Sequence, residues 1–309
     1  MQAVCYDPDA PAGLRLAETA EPVPGADEAL VAIRAFALNV SEVTSLAERK
    51  QRGEVLGWDA AGVVVQPAAD GSGPPAGARV TTFAWTGGWA ELRAVPTAEL
   101  AVVPAEVDLG AASTLPAAGV TALQVLRALG SVLGRRVLVT GASGGVGRFA
   151  VQLAALAGAE VVASVSSPAR ATGLAGLGAA EILVGLENLS APVYGIMDAV
   201  GGPQLAEAFM HLESGGVVQV IGMASGEPVP LGERQRWGRS WRVESFVFGT
   251  PVGADLRYLV KLLATGSLDP QIGWRGGWDR APEAAKALLA REFTGRAVLD
   301  VTPTRASAP

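Results

Sequence analysis

The chain has 309 residues, half of them hydrophobic and 17% charged, enough apolar material for two buried cores, since a single core stops growing near ~250 to 300 residues. Lys and Arg number 24 against 30 Asp and Glu, a net charge of -6, which disfavours a sequence-independent nucleic-acid binder because phosphate contacts need clustered cations. One cysteine, Cys5, and one histidine, His211, exclude an internal disulfide, a Cys/His zinc cage and, unless His211 serves it, a Ser-His-Asp triad. The chemistry is then expected from a bound organic cofactor.

The N-terminus lacks the basic-then-apolar layout of a signal peptide, and Gly, Pro or charge interrupts every apolar run before the ~20 residues that a membrane helix needs. The expectation is a cytoplasmic protein with no membrane and no nucleic-acid partner. From 1 to about 104 the sequence offers short β-type runs at 29–37, 60–65, 78–83 and 89–95, divided by turn residues, as in a small β-barrel. A Gly- and Pro-rich stretch, 67–77, is a surface loop. After Leu109 the period changes: helical spacing at 111–129, a buried strand at 136–140, a helix at 146–157, and short strands at 161–165, 182–184, 195–199 and 217–221, with a helix at 204–212. Such alternation predicts an α/β lobe with a doubly wound parallel sheet. A strand at 243–248, helices at 253–265 and 281–291 and a last strand at 296–301 follow, and the final residues are expected to return to the first lobe. The tail, 302–309, frays. A cleft between two lobes is the expected site.

The most informative segment runs Val137-Leu-Val-Thr-Gly-Ala-Ser-Gly-Gly-Val-Gly147, a strand, a glycine turn and a helix in succession. Gly141, Gly144 and Gly147 leave out Cβ atoms where the backbone must turn and approach a pyrophosphate. A helix starting near Gly145 aims free N–H groups and its positive dipole end at that phosphate. Dinucleotide sites for NAD place Asp or Glu about 20 residues on, at the end of the second strand; here that strand runs into Ser166-Ser167-Pro168-Ala169-Arg170 with no carboxylate. Ser166, Ser167 and Arg170 suit a ribose 2′-phosphate, which points to NADPH.

Together with Leu56-Gly-Trp-Asp-Ala-Ala-Gly62, Gly87-Gly-Trp-Ala-Glu91, Ala117-Ala-Gly-Val-Thr-Ala122 and Gly295-Arg-Ala-Val-Leu299, the glycine segment resembles the zinc-independent medium-chain dehydrogenases/reductases of the quinone oxidoreductase and enoyl reductase branch. The resemblance runs in order over almost the whole chain. It implies a GroES-like β-barrel lobe over 1–107, a Rossmann NADPH-binding domain over 108–230, a return to the catalytic lobe over 231–309, and a homodimer through the Rossmann edge. It also implies roles for single residues. Asn39 matches the asparagine near nicotinamide and substrate carbonyl, where an amide polarises a developing oxyanion, and Thr121 matches the threonine beside the nicotinamide. Ser143, Gly144, Gly145 and Val146 match the pyrophosphate turn, the loop with Val200 covers the cofactor, and Gly222 and Met223 end the strand beside it. Phe246 and Phe248 fall where relatives cover the nicotinamide, and Arg296 replaces the customary Lys. Zinc-dependent relatives carry Gly-His-Glu where this chain reads Gly57-Trp58-Asp59, so no metal is expected.

The expected reaction is hydride transfer from NADPH to a quinone or an α,β-unsaturated carbonyl, with Ser41 and Thr44 as candidate proton relays. Two alternatives stay open: an enoyl or keto reductase of a carrier-bound intermediate, which a cluster of Arg234, Arg236, Arg239 and Arg242 would serve, and a non-catalytic NADPH-binding protein. Trp58, Trp85 and Trp89 either wall a cleft against a flat aromatic substrate or pack the lobe. His211 is expected at the surface or in a structural role, and Cys5 as a small buried hydrophobe.

Overall fold

The computed structural model describes residues 1–232 and 240–302. It divides into two compact units, Met1–Val120 with the C-terminal segment from Thr250, and Thr121–Gly249.

The first unit is a GroES-like β lobe built on the long strand Glu28–Leu38. That strand pairs antiparallel with Asp59–Gln66, with Leu92–Pro96 and with the last strand, Arg296–Asp300, where Ala297 faces Leu38 and Asp300 faces Ala35. Arg79–Phe83 and Leu100–Val102 extend the seven-stranded sheet at one end and Ile272–Gly277 at the other. Eight of the central strand's eleven residues are buried, and Phe36 stacks on Trp89 with centroids 5.6 Å apart. Each such ring contributes roughly 1.5–3 kcal/mol by burial. A separate antiparallel hairpin, Gln2–Tyr6 with Leu14–Glu18, also belongs to this unit. Cys5 is buried beside Ala3 and Ala90, as a small hydrophobe.

The second unit carries a six-stranded parallel sheet. Its strands lie in the order Ala179–Val184, Glu160–Val165, Arg136–Val139, Val193–Asp198, Leu212–Val220, Trp241–Ser245. Numbered along the chain that is 3-2-1-4-5-6, the Rossmann order, and the order reverses between the first strand and the fourth. Val137, Leu138 and Val139 are all buried, because the central strand of a parallel sheet is covered on both faces. Helix Gly145–Leu156 packs Phe149, Ala150, Val151, Leu153 and Ala154 into the core.

The helical pattern at 111–129 is three pieces rather than one: Leu109–Ala112, a wide turn Leu115–Gly119, and Val120–Leu129. Ser113 Oγ and Thr114 Oγ1 donate to the carbonyls of Gly110 and Ala111 at 2.8 and 2.7 Å, and Pro116 has no N–H to give, so the ladder is interrupted there. Among the described residues no helix is long and apolar enough to cross a membrane.

Candidate functional site

In the second unit the glycine segment leaves the sheet at the reversal of strand order. Each of its glycines has a distinct reason. Gly141 has φ +61°, the left-handed conformation that a Cβ penalises. A Cβ on Gly147 would sit 2.3 Å from the Gly141 carbonyl oxygen and 2.7 Å from Ala142 Cα, so only glycine lets the helix approach the strand. At Gly144 a Cβ would meet only the Gly141 oxygen, at 3.4 Å; this side of the turn is open. Gly144 is also the N-cap of Gly145–Leu156 and supplies no side-chain cap, so the first-turn amides have no capping side chain from it. The turn therefore fits a diphosphate: bare backbone, exposed donors and the positive end of a helix of 12 residues.

The end of the second strand lies against this turn. Arg170 Nε donates to Ser143 Oγ at 2.8 Å, bringing together two segments 27 residues apart. Pro168–Ala171 is a single 3-10 turn, with Ser166 exposed and Ser167 half-buried just before it. Arg148, on the glycine helix, holds the same turn through the Thr172 carbonyl at 3.1 Å.

Further along the same sheet edge, buried Asp198 organises the loop after the fourth strand. Its carboxylate accepts from Thr140 Oγ1 at 2.5 Å and from the Gly201 amide at 2.8 Å. Val200 accepts from the Ser225 amide at 2.9 Å, and a Cβ on Gly222 would lie 3.1 Å from the Ala199 carbonyl oxygen; the Val200 loop and the Gly222–Met223 loop thus run side by side. Phe246 and Phe248 pack edge to face at 6.4 Å, and the segment after them is tied to helix Val120–Leu129 by reciprocal bonds between Gln124 and Gly249, at 2.9 and 3.0 Å. Thr121, in that helix's first turn, is buried.

Asn39 and Arg296 belong to the first unit, where they join a buried polar network. Asn39 caps the short helix Val40–Thr44. Its Nδ2 donates to Glu42 Oε2 at 2.6 Å and to Asp59 Oδ2 at 3.1 Å, and its Oδ1 accepts from Arg296 at 2.7 Å. Arg296 also pairs with Asp59 at 2.5 Å, with side chains 4% and 0% exposed. The Ala117 amide donates to Asp59 at 2.7 Å and the Trp58 amide to Glu42 at 2.8 Å. Every hydrogen-bonding group of Asn39 is thereby engaged inside the unit. Arg93, equally buried, donates to the carbonyls of Trp58, Ala84 and Thr86 at 2.9 Å each.

Glu42 faces a cavity of about 160 Å³ lined also by Lys50, Gly57, Trp58, Trp85 and Trp89. Trp58 and Trp85 meet edge to face at 5.1 Å, and Trp85 is 52% exposed whereas Trp89 is fully buried. Trp89 is core; the other two form an aromatic rim. Thr44 donates its hydroxyl to the Val40 carbonyl at 2.9 Å, an ordinary intrahelical bond. Arg234, Arg236 and Arg239 lie outside the described residues, as does the tail beyond Thr302; Arg242 pairs with Glu244 at 2.7 Å.

A family model described as "Alcohol dehydrogenase GroES-like domain" matches residues 25–105, and one described as "Zinc-binding dehydrogenase" matches 145–265. The 2-methylene-furan-3-one reductase of Solanum lycopersicum is 30% identical over 299 residues, covering 90% of this chain and 72% of that one. The chain belongs to the medium-chain dehydrogenase/reductase family of oxidoreductases. The putative quinone oxidoreductase YhfP of Bacillus subtilis is 36% identical over 192 residues, 57% of this chain and 58% of that relative, so the chain spans little more than half of it. Among solved structures, Escherichia coli quinone oxidoreductase complexed with NADPH superposes with a TM-score of 0.86 at 20% identity, covering 98% of this chain and 100% of that one, a likeness of fold.

Within this member of the medium-chain dehydrogenase/reductase family, sequence reading misses Glu42 and the network around Asp59. One signal was present: Asn39 at the N-cap with Glu42 three residues on has capping-box spacing, but the carboxyl meets the Asn39 side chain instead of its backbone. Burial and the neighbouring Asp59 push the Glu42 carboxyl up to about 8, against the hydrogen bonds from Asn39 and Trp58 and the charge of Arg296. Burial raises Asp59 as well, opposed most by the Arg296 guanidinium bound to it. A carboxyl that binds its proton more tightly folded than unfolded loses stability as pH rises through that window. The stability difference between wild type and Glu42→Gln is therefore expected to fall by about 2–3 kcal/mol between pH 6 and pH 8. Urea unfolding of both proteins at the two pH values checks this; a difference independent of pH contradicts it.

Proposed function

We propose that the chain is an NADPH-dependent, zinc-independent reductase that transfers hydride to an α,β-unsaturated carbonyl or a quinone. The observation that carries this reading is the open glycine turn at the switch of strand order with Arg170 fastened to it through Ser143. Ser143, Gly144, Gly145 and Val146 hold the diphosphate through backbone amides. Ser166, Ser167 and Arg170 hold the 2′-phosphate, where a carboxylate would repel it. Thr121, Val200, Gly222, Met223, Phe246 and Phe248 bound the nicotinamide end and keep water from it.

Bound NADPH supplies the hydride. In the first unit Asn39 is a positioning residue, holding Glu42 and Asp59 in place with Arg296 behind it. Zinc independence is supported by the residues themselves, since a chain with one Cys and one His cannot assemble the ligand sets of zinc dehydrogenases. The relatives' names, a putative quinone oxidoreductase and a furanone reductase, agree with a conjugated acceptor. A second copy would add to the sheet beyond its outer strand, Trp241–Ser245.

The test is steady-state oxidation of NADPH and NADH with a panel of quinones, enones and enoyl thioesters. NADPH is expected to turn over with the first two acceptor classes, and Arg170→Ala to lower kcat/KM for NADPH about 10- to 100-fold, with NADH unaffected. Tight NADPH binding with no turnover on any acceptor would replace this reading with a non-catalytic one.

A further inference from the structure

We propose that Glu42 is the acid that completes the reduction, giving its carboxyl proton to the substrate; this rests on the reductase reading above. Three observations place it. Glu42 lines the cavity of about 160 Å³ beside Gly57, Trp58 and Trp85, so a flat conjugated acceptor resting on the two rings lies next to its carboxyl. It shares the Asn39 amide with Asp59, the two carboxyls held on either side of one nitrogen at 2.6 and 3.1 Å. Only Asp59 has a guanidinium bound to it, Arg296 at 2.5 Å; the partners of Glu42 are the neutral Asn39 and the Trp58 amide.

Among the described side chains, the charged groups facing Glu42 are few. Arg93 spends its donors on carbonyl and hydroxyl oxygens, and Lys50, across the cavity, pairs with Glu54 at 2.5 Å. The inner carboxylate is thus neutralised by Arg296, and the outer one, with no cation bound to it among the described side chains, keeps a proton. Both Glu42 oxygens already accept a hydrogen bond, which leaves the O–H to turn toward the cavity.

A bound dinucleotide would supply the electron pair as hydride and be oxidised in turn, and the reduced conjugated system would carry the negative charge as an enolate or phenolate. The Glu42 O–H bond breaks and a C–H or O–H bond forms at that anion, leaving Glu42 as a carboxylate. Water entering the cavity returns the proton, so each cycle consumes one proton from solvent. Asn39 positions the acid, and the charge of Asp59 beside it raises its affinity for the proton between cycles.

Two measurements test this. Difference infrared spectroscopy of the protein without cofactor, taken between about pH 6.5 and pH 9.5, should show a protonated-carboxyl band that disappears with rising pH and is absent from Glu42→Gln. With a quinone or enone and saturating NADPH, wild-type kcat should fall above about pH 8. Glu42→Gln should lower kcat about 100-fold and lose that limb, with the calorimetric Kd for NADPH unchanged and part of the rate restored in Glu42→Asp. A wild-type protein with no acid band, or a Glu42→Gln enzyme that keeps wild-type kcat and pH profile, overturns the assignment of Glu42 while leaving the reductase standing. A wild-type protein that oxidises no NADPH overturns the reductase reading itself, and the proposal with it.

Discussion

Alanine at Gly144 and alanine at Gly147 are expected to abolish the same binding event for different reasons. At Gly147 the new Cβ would lie 2.3 Å from the Gly141 carbonyl oxygen and 2.9 Å from the Ala142 carbonyl carbon. These are backbone atoms that cannot step aside as a side-chain end can. The helix must shift off the strand, at a cost of about 2–3 kcal/mol, and its first-turn amides move with it. At Gly144 the nearest atom to the new Cβ is 3.4 Å away and φ is -79°, so the fold accommodates the methyl within about 1 kcal/mol. What the methyl occupies is the approach path of the diphosphate. Both variants should bind NADPH about 100-fold more weakly, but only Gly147→Ala should unfold at clearly lower urea concentration. Retention of wild-type affinity in Gly144→Ala would mean that the open side of the turn is not where a phosphate sits.

The second large effect concerns the other unit. Arg296→Leu leaves Asp59, fully buried, without its guanidinium and leaves Asn39 Oδ1 without a donor. Removing one partner of a buried ion pair costs about 3–5 kcal/mol, because the charge that remains is neither hydrated nor paired. Adding Asp59→Asn removes that charge, and the double variant should recover at least half of the loss, a coupling that two independent sites would not show. Denaturation midpoints of the two single variants and the double variant at neutral pH measure it. Strict additivity would show that the network is not one cooperative unit.

Much of the cofactor lobe is legible in the sequence because its constraints are local. A strand, three glycines at fixed spacing and a helix are dictated by backbone geometry, and the reasons for Gly141, Gly144 and Gly147 can be stated before any coordinates exist. The absence of a carboxylate after Val165 is equally local. The contact that joins Arg170 to Ser143 spans 27 residues and is fixed by the parallel pairing of Arg136–Val139 with Glu160–Val165, which hydrophobic runs suggest without specifying.

What the sequence hides is what burial and distant pairing create. Ile272–Gly277, with three glycines in six residues, carries no strand signal of its own and is a strand because it pairs with Arg296–Asp300. The opening hairpin is short and mixed in polarity, so its period is too brief to read. Glu42 looks like any helix-surface glutamate until the fold places Asp59, from a strand that pairs antiparallel with Glu28–Leu38, on the far side of Asn39. Its proton affinity is a property of that enclosure. Arg296, for which family resemblance implies a cofactor contact, lies in the first unit with its two Nη groups on Asn39 and Asp59, a pairing that no local pattern announces, and its Nε finds no acceptor among the described residues.

The central claim, that the turn around Gly144 is a seat for a dinucleotide diphosphate with Arg170 on the adenosine side, is tested most directly by titrating NADPH and NADH into the purified protein in a calorimeter. The account predicts saturable one-to-one binding of NADPH, at least about ten times tighter than NADH. No heat with either dinucleotide, or equal affinity for both, would contradict it.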